Sequence, residues 1–255
     1  MKLTKYPLKN LTGYKERFEI HQSSNIESGF KFNKARDGEY DYFRRYQGAK
    51  NLKTILEFPP DGLYLNNIFP YAKIDKIDLI KTNDEKFPDG ITITDFSLSG
   101  IERNYYDAVF CVTPIHHATD HEIIEFLNAS FACLKKDGLL IIGEVLRDSK
   151  EAYFLDEFVN AYTLNGHKGN YPDIYFTKKI QQAGFSNCNY EVLRYPWIFE
   201  SKIDTLNCIS QVLGLEKLDQ AFLFKSLDKF LGITKVNTKY HLNWGLVFFE
   251  ARKLI

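Results

Sequence analysis

Residues 106–144, YDAVFCVTPIHHATDHEIIEFLNASFACLKKDGLLIIGE, decide the fold. The stretch holds two apolar runs, AVFCV and LLIIG, of the kind found in strands that are covered on both faces. Between the runs, apolar residues recur at helical spacing: Ile123, Phe126, Leu127, Phe131 and Leu134. The pattern predicts two parallel strands joined by a right-handed helical crossover.

The composition narrows the classes of function. Of the 255 residues, 44% are hydrophobic, which is enough to bury a large core. The 33 acidic residues balance the 33 basic ones, so we expect neither nucleic acid nor a membrane surface as a partner. The four cysteines lack CxxC spacing, and the amino-terminal segment is too polar for a signal peptide. We therefore expect free thiols and a cytoplasmic location.

Other strand and helix patterns extend the central unit on both sides. The strand patterns LKTILEF, IDKIDLI and ITITDFSL precede it, and YEVLRYPWIF and NWGLVFFEAR follow it. We predict a polar leader with a short helix over residues 1–50, and one domain over residues 51–255. Two apolar-periodic helices within residues 201–238 form a predicted insertion or cap. The predicted class is α/β, with a seven-stranded, mostly parallel Rossmann-like sheet and an antiparallel last strand.

The order of these elements resembles that of a class I S-adenosylmethionine-dependent methyltransferase, from about residue 35 to the end. YDAVFCVTPIHHATD is similar to the family's fourth strand, which begins with an acidic residue and ends in a His-containing turn. FLNASFACLKKDGLLIIGEVLRD resembles the next helix and strand, and NWGLVFFEARK the antiparallel last strand. The resemblance implies S-adenosylmethionine as the cofactor, and we assign no metal ligands. The balanced charge and the lack of a basic stripe disfavour nucleic acid and phospholipid head groups as substrates. We favour a small-molecule or carbohydrate-linked acceptor, methylated on oxygen.

The first strand and its loop agree with the family pattern at two positions and depart from it at two others. The resemblance implies that Glu57 binds the amino group of the cofactor's methionine part and that Gly62 keeps a place in the loop. However, Pro59 and Pro60 stand where the family has small residues, and each proline lacks an N–H donor. An alternative is therefore a catalytically silent domain that serves as a binding or scaffold module.

Three further residues are implied to contact the nucleoside part of the cofactor. Asp78 matches the acidic residue that binds the ribose hydroxyls at the end of the second strand, although Asp75 and Asp84 are close enough to compete. Asp95 and Phe96 resemble the contacts to adenine, a carboxylate to the amine and a ring to the ring. Asp95 is equally compatible with a simple turn.

The histidines carry the predicted chemistry. Thr113 begins the turn that borders the cofactor site, and His116 and His117 follow it. An imidazole suits the removal of a proton from an acceptor hydroxyl, although His117 could instead pack against the following helix. His167 lies in a later loop, where we expect it to line the substrate entrance and to assist. His121, inside the helix, is expected to face solvent.

The same turn suggests a competing class of function. VTPIHHATDH nearly matches the His-x-His-x-Asp-His signature of metallo-β-lactamase-like zinc hydrolases, with His116, Asp120 and His121 in register. Ala118 replaces the middle histidine, and losing one imidazole ligand would weaken a zinc site. A zinc hydrolase is therefore the least favoured alternative.

Overall fold

Eight strands form one sheet in the computed structural model, which describes residues 28, 31–32, 34–47, 52–60, 63–79, 90, 92–163 and 166–254. The strands are β1 (Thr54–Phe58), β2 (Lys73–Asp78), β3 (Thr92–Ile93), β4 (Tyr106–Val112), β5 (Leu134–Glu144), β6 (Ser186–Phe199), β7 (Ile233–Val236) and β8 (Lys239–Arg252). The order across the sheet is β3-β2-β1-β4-β5-β8-β6, and β7 pairs with β8.

The pairing directions confirm the predicted fold class. Strands β1 to β5 are parallel to one another, whereas β8 runs antiparallel to both β5 and β6. One strand more than predicted is present, because residues 233–236 form a hairpin with β8 inside the segment predicted as a helical insertion. The hairpin turn is short, and Asn237 in it has a φ of 54°, a conformation that asparagine tolerates. This four-residue strand is mostly exposed, so it lacks the apolar alternation that would have revealed it.

Helices cover both faces of the sheet. They are α1 (Asp41–Arg44), α2 (Tyr64–Ile68), α3 (Asp120–Cys133), α4 (Lys150–Tyr153), α5 (Asn160–Tyr162), α6 (Phe176–Gln182), α7 (Lys202–Leu213) and α8 (Gln220–Phe230). A π-helical turn, Phe154–Val159, joins α4 to α5, and 3-10 turns span Asp37–Tyr40 and Ile115–His117. Within the described ranges, no helix has both the length and the apolar character needed to cross a membrane.

Two apolar clusters, one on each face, hold the layers together. Alternate residues of β1 divide between them: Ile55 belongs to one cluster, and Leu56 and Phe58 belong to the other. The cluster of Ile55 also receives the aromatic turn Phe154–Val159 and the helices α7 and α8. The opposite cluster receives α3 and α6. The central strands are thus buried on both faces, as the apolar runs predicted.

The short aromatic segment before β1 packs on the sheet. The ring of Tyr42 stacks on Phe248 with 4.5 Å between centroids, and Phe43 lies 4.9 Å from Phe110. Tyr42 and Phe43 are buried. Residues that the sequence assigned to the leader therefore contribute to the core of the α/β unit.

Candidate active site

The turn after β4 lies beside the end of β5 because the two strands are adjacent and parallel. The backbone N–H of Thr113 donates to the carbonyl of Gly143 at 2.8 Å, which fixes the start of the turn. Thr113 has a φ of 61°, so the chain changes direction sharply at that residue. The 3-10 turn Ile115–His117 follows, and a Thr119–Glu122 capping box then begins α3.

Glu144, the last residue of β5, holds His116 at two points. Its Oε1 lies 2.8 Å from Nδ1 of the imidazole, and its Oε2 accepts the backbone N–H of His116 at 3.1 Å. Both residues are buried. An ionised carboxylate only accepts hydrogen bonds, so Nδ1 carries the hydrogen and the lone pair of a neutral imidazole lies on Nε2. The Nε2 atom has no hydrogen-bond partner among the described residues.

The loop after α5 brings His167 against this turn. Its backbone N–H donates to Oδ1 of Asn160 at 2.8 Å, and the backbone N–H of Asn170 donates to the carbonyl of His116 at 2.6 Å. The ring centroids of His116 and His117 are 4.0 Å apart, and that of His167 lies 5.2 and 4.9 Å from them. We call His116, His117 and His167 the histidine cluster. The structure thus brings together the three residues predicted to carry the chemistry.

Tyr171 and Asp156 support the cluster from the loop and the π-helical turn. The Tyr171 hydroxyl donates to Oδ1 of Asp156 at 3.1 Å and lies 3.4 Å from Nδ1 of His167. The same Asp156 oxygen accepts the backbone N–H of Gly169 at 3.0 Å. Burial, with Asp156 nearby, raises the pKa of Tyr171 well above its usual value, so the hydroxyl stays protonated as a donor.

A cavity opens beside Tyr171, whose ring centroid lies 5.2 Å from that of His116. Its volume is about 610 Å³, and Tyr171 lines it together with Asp156. Basic and aromatic side chains complete the walls, among them Arg147, Lys150 and Phe230. Phe230 is the last residue of α8 and lies within the segment predicted as an insertion or cap.

Glu57 lies near the carboxyl end of β1, in register with Lys76 of β2. It is buried, and its Oε2 has no hydrogen-bond partner among the described residues. Burial raises the pKa of Glu57 to about 8, although the nearby Lys76 opposes the shift. Its loop neighbour Gly62 lies outside the described residues.

Asp78 occupies the end of β2 and is completely buried. Its Oδ1 accepts the backbone N–H of Leu79 at 2.7 Å. Asp75, one of its two competitors, is engaged elsewhere, since its Oδ2 accepts from the Tyr106 hydroxyl at 2.9 Å and from Lys73 at 2.9 Å. The other competitor, Asp84, lies outside the described residues.

Asp95 and Phe96 have different surroundings. Asp95 is exposed and accepts hydrogen bonds from the Ser97 hydroxyl and, at 3.3 Å, from the backbone N–H of Ser99. The bond from Ser97 lowers the pKa of Asp95, so this carboxylate organises a turn. Phe96 is buried, with its ring edge-on to Phe58 at 6.2 Å. Their contacts to adenine remain a prediction.

The zinc-hydrolase alternative needs side chains that the structure separates. Asp120 forms an ion pair with Lys179 at 2.6 Å, and this bond lowers the pKa of Asp120. His121 is exposed on α3, whereas His116 is buried against Glu144. The His116, Asp120 and His121 pattern therefore does not form one site.

Sequence analysis missed three members of the site: Glu144, Asp156 and Tyr171. Glu144 had a usable signal, because it ends a buried strand as Asp78 ends β2. No pattern in the sequence indicated a role for Asp156 or Tyr171. Their positions depend on the π-helical turn and on the path of the following loop.

No family model matches the chain, and no curated protein matches it at a significant level. Solved structures do match. A candidate methyltransferase from Bacillus halodurans is 15% identical over 86% of this chain and 100% of its own, with a TM-score of 0.57. Haemonchus contortus phosphoethanolamine N-methyltransferase 2, in complex with S-adenosyl-L-methionine, is 13% identical over 96% and 61%, with a TM-score of 0.55. The chain has the fold of the class I S-adenosylmethionine-dependent methyltransferases.

A third match shows what this fold leaves open. The [4+2]-cyclase SpnF is 12% identical over 99% of each chain, with a TM-score of 0.55. Proteins with this fold are thus named for two different reactions, methyl transfer and [4+2] cyclisation. Function must therefore be argued from the side chains of the site.

Proposed function

We propose that this protein transfers a methyl group from S-adenosylmethionine to an oxygen of a small-molecule or carbohydrate-linked acceptor. The observation that carries the proposal is the pair of buried carboxyl groups, Glu57 and Asp78, near the carboxyl ends of adjacent parallel strands. The strand order reverses between β1 and β4, next to this pair. Ligands of doubly wound sheets bind outside the strand ends at such a switch point.

The residues on β1 and β2 suit the cofactor's polar groups. The buried Oε2 of Glu57, which has no hydrogen-bond partner among the described residues, would accept from the ammonium group of the methionine part. Asp78 would accept from the ribose hydroxyls. Pro59 and Pro60 offer no N–H donors after β1, so the two carboxyl groups carry more of the recognition than a glycine-rich loop would require.

S-adenosylmethionine supplies a methyl group on a sulfonium sulfur: the acceptor oxygen bonds to the methyl carbon while the carbon–sulfur bond breaks and its electron pair stays on sulfur. A hydroxyl acceptor must also lose its proton. We assign this activation to the histidine cluster, which follows the end of β4 and contacts Tyr171 in the wall of the cavity. Within the cluster, Glu144 fixes the tautomer of His116 that has its lone pair on Nε2.

The cavity supports a small, polar acceptor. Its volume of about 610 Å³ lies within the range of small-molecule sites. Acidic Asp156 and Glu157 line it together with basic Arg147 and Lys150, so its charge is mixed. A mixed lining favours an uncharged or zwitterionic molecule with hydroxyl groups over a polyanion.

Calorimetric titration with S-adenosylhomocysteine, the demethylated cofactor, tests the first half of the proposal. We expect one molecule to bind per chain. A screen of hydroxyl compounds with labelled S-adenosylmethionine then identifies the acceptor. With that acceptor, His116→Ala should lower turnover by about 10²- to 10⁴-fold and leave the affinity for S-adenosylhomocysteine unchanged.

The silent binding or scaffold domain is the second candidate, favoured by Pro59 and Pro60. It predicts that neither S-adenosylmethionine nor its product binds, because the loop lacks the donors that the cofactor needs. The same titration separates the two functions.

A further inference from the structure

We propose that the histidine cluster binds a divalent transition metal ion, and that zinc fits it best. One ring nitrogen from each of His116, His117 and His167 lies within 4.8 Å of the other two. The three residues are only 5, 6 and 7% exposed. Three imidazoles from two separate loops thus converge on one small buried volume, which packing of apolar groups alone would not require.

The contacts around His116 match those of a metal-ligating histidine. A ligating imidazole usually donates its second N–H to a carboxylate, which sets the tautomer and makes the ring a stronger ligand. Glu144 occupies this position at Nδ1, 2.8 Å away. The opposite nitrogen, Nε2, is buried and has no hydrogen-bond partner among the described residues, so its lone pair is available to a metal ion.

His167 has a comparable support. The Tyr171 hydroxyl gives its hydrogen to Asp156, so its oxygen is an acceptor for Nδ1–H of His167, 3.4 Å away. This contact favours the tautomer with the lone pair on Nε2. The loop itself is fastened by the bond from Asn170 to the carbonyl of His116. The two ligand-bearing segments are therefore held together by a backbone hydrogen bond that does not involve the imidazole rings.

The donor set selects the kind of ion. Imidazole nitrogens suit zinc, copper, iron and nickel, whereas magnesium and calcium prefer oxygen ligands. Tetrahedral zinc, with bonds of about 2.0 to 2.1 Å to nitrogen, places its ligand nitrogens about 3.3 Å apart. The nitrogens of the cluster lie within 4.8 Å of one another, so they would have to approach by up to about 1.5 Å to hold a tetrahedral zinc ion.

Three protein ligands leave the fourth position of a tetrahedral ion open, the arrangement of catalytic zinc sites. This part of the inference rests on the proposed function. The acceptor hydroxyl would occupy the open position, and the ion would lower its pKa so that the proton passes to water. The imidazoles then act as ligands, and activation of the acceptor by the cluster proceeds through the metal.

The test uses the full chain without a polyhistidine tag, stripped with a chelator and dialysed. Calorimetry with zinc chloride and absorption spectroscopy with cobalt chloride report binding without any need for turnover. We expect one ion per chain, with the visible bands of tetrahedral cobalt. His167→Ala should abolish this binding, Glu144→Gln should weaken it by about 10- to 100-fold, and the exposed control His121→Ala should leave it unchanged.

Circular dichroism of each stripped variant shows that a lost site is not a lost fold. If His116→Ala does not fold, His167→Ala and His117→Gln still test the cluster. A wild-type chain that binds no zinc overturns the inference, as does equal binding by a variant that lacks all three histidines. S-adenosylhomocysteine binding is measured on the same samples. If the chain binds the cofactor but not zinc, only the inferred metal site is refuted. If it binds zinc but not the cofactor, only the proposed methyl transfer is refuted.

Discussion

Glu57 and Lys76 lie side by side as register partners on parallel strands, and the two residues are only 4 and 2% exposed. Burial dominates over the attraction of Lys76, so the pKa of Glu57 rises from 4.5 to about 8. In the folded protein this carboxyl keeps its proton between those two pH values, whereas the unfolded chain has released it. The folded state therefore binds more protons than the unfolded state across this window.

Stability should consequently fall as the pH rises from about 5 to about 8, and Glu57→Gln should remove this contribution. The maximum slope from one such group is about 1.4 kcal/mol per pH unit. Urea unfolding at pH 5, 6.5 and 8 measures it. The variant should gain stability relative to the wild type as the pH rises, and the exposed Glu102→Gln should not. Parallel pH profiles for wild type and Glu57→Gln would refute this assignment.

Cofactor binding should release protons at neutral pH. The ammonium group of S-adenosylhomocysteine favours the ionised form of Glu57, so binding at pH 7 would expel up to one proton per chain. Calorimetry in buffers that differ in ionisation enthalpy gives the number directly. We expect the release to vanish in Glu57→Gln, and an unchanged value in that variant would mean that the proton comes from another group.

Asp78→Ala should weaken S-adenosylhomocysteine binding by roughly 1 to 3 kcal/mol, because the ribose hydroxyls lose their acceptor. Asp75→Ala is the matched control on the same strand, since that carboxylate is engaged with Tyr106 and Lys73. Titration calorimetry compares the two. A larger loss in Asp75→Ala than in Asp78→Ala would show that Asp75, and not Asp78, contacts the ribose.

Thr119→Ala should lower the free energy of unfolding by about 1 kcal/mol, because it removes half of the capping box that begins α3. The Thr119 hydroxyl accepts the backbone N–H of Glu122 at 3.2 Å, and the Glu122 carboxylate accepts that of Thr119 at 2.7 Å. Thr119→Ser keeps the acceptor and should retain most of the stability. Denaturant unfolding of both variants distinguishes the hydrogen bond from simple loss of volume.

The central strands were predictable because burial on both faces leaves a pattern in the sequence. AVFCV and LLIIG became β4 and β5, and the helical spacing between them became α3. Strand β7 left no such pattern, since its four residues are largely exposed and depend on pairing with β8. Predicting β7 would have required knowledge of the turn at Asn237, whose φ of 54° cannot be derived from the pattern of apolar residues.

The site was predictable in part for the same reason. His116 and His117 follow a recognisable strand, so their place at the sheet edge follows from the topology. The approach of His167 depends on its bond to Asn160 and on the path of a loop, which no local pattern encodes. Phe96 illustrates the opposite difficulty. An aromatic residue after a strand can face a ligand or the core, and the contacts of Phe96 with Phe58 of β1 and Phe126 of α3 arise only when the strand and the helix pack together.

The π-helical turn Phe154–Val159 makes the geometry of the site depend on helical phase. One extra residue in a helix rotates everything after it by about 100° relative to an uninterrupted α-helix. Asp156 lies within this turn and Asn160 directly after it, and both hold the loop that carries His167. Deleting one residue to restore a regular α-helix would turn Asn160 away from that loop while leaving the apolar character of the helix intact. The number of residues in this π-helical turn thus determines how closely the loop of His167 approaches the turn of His116.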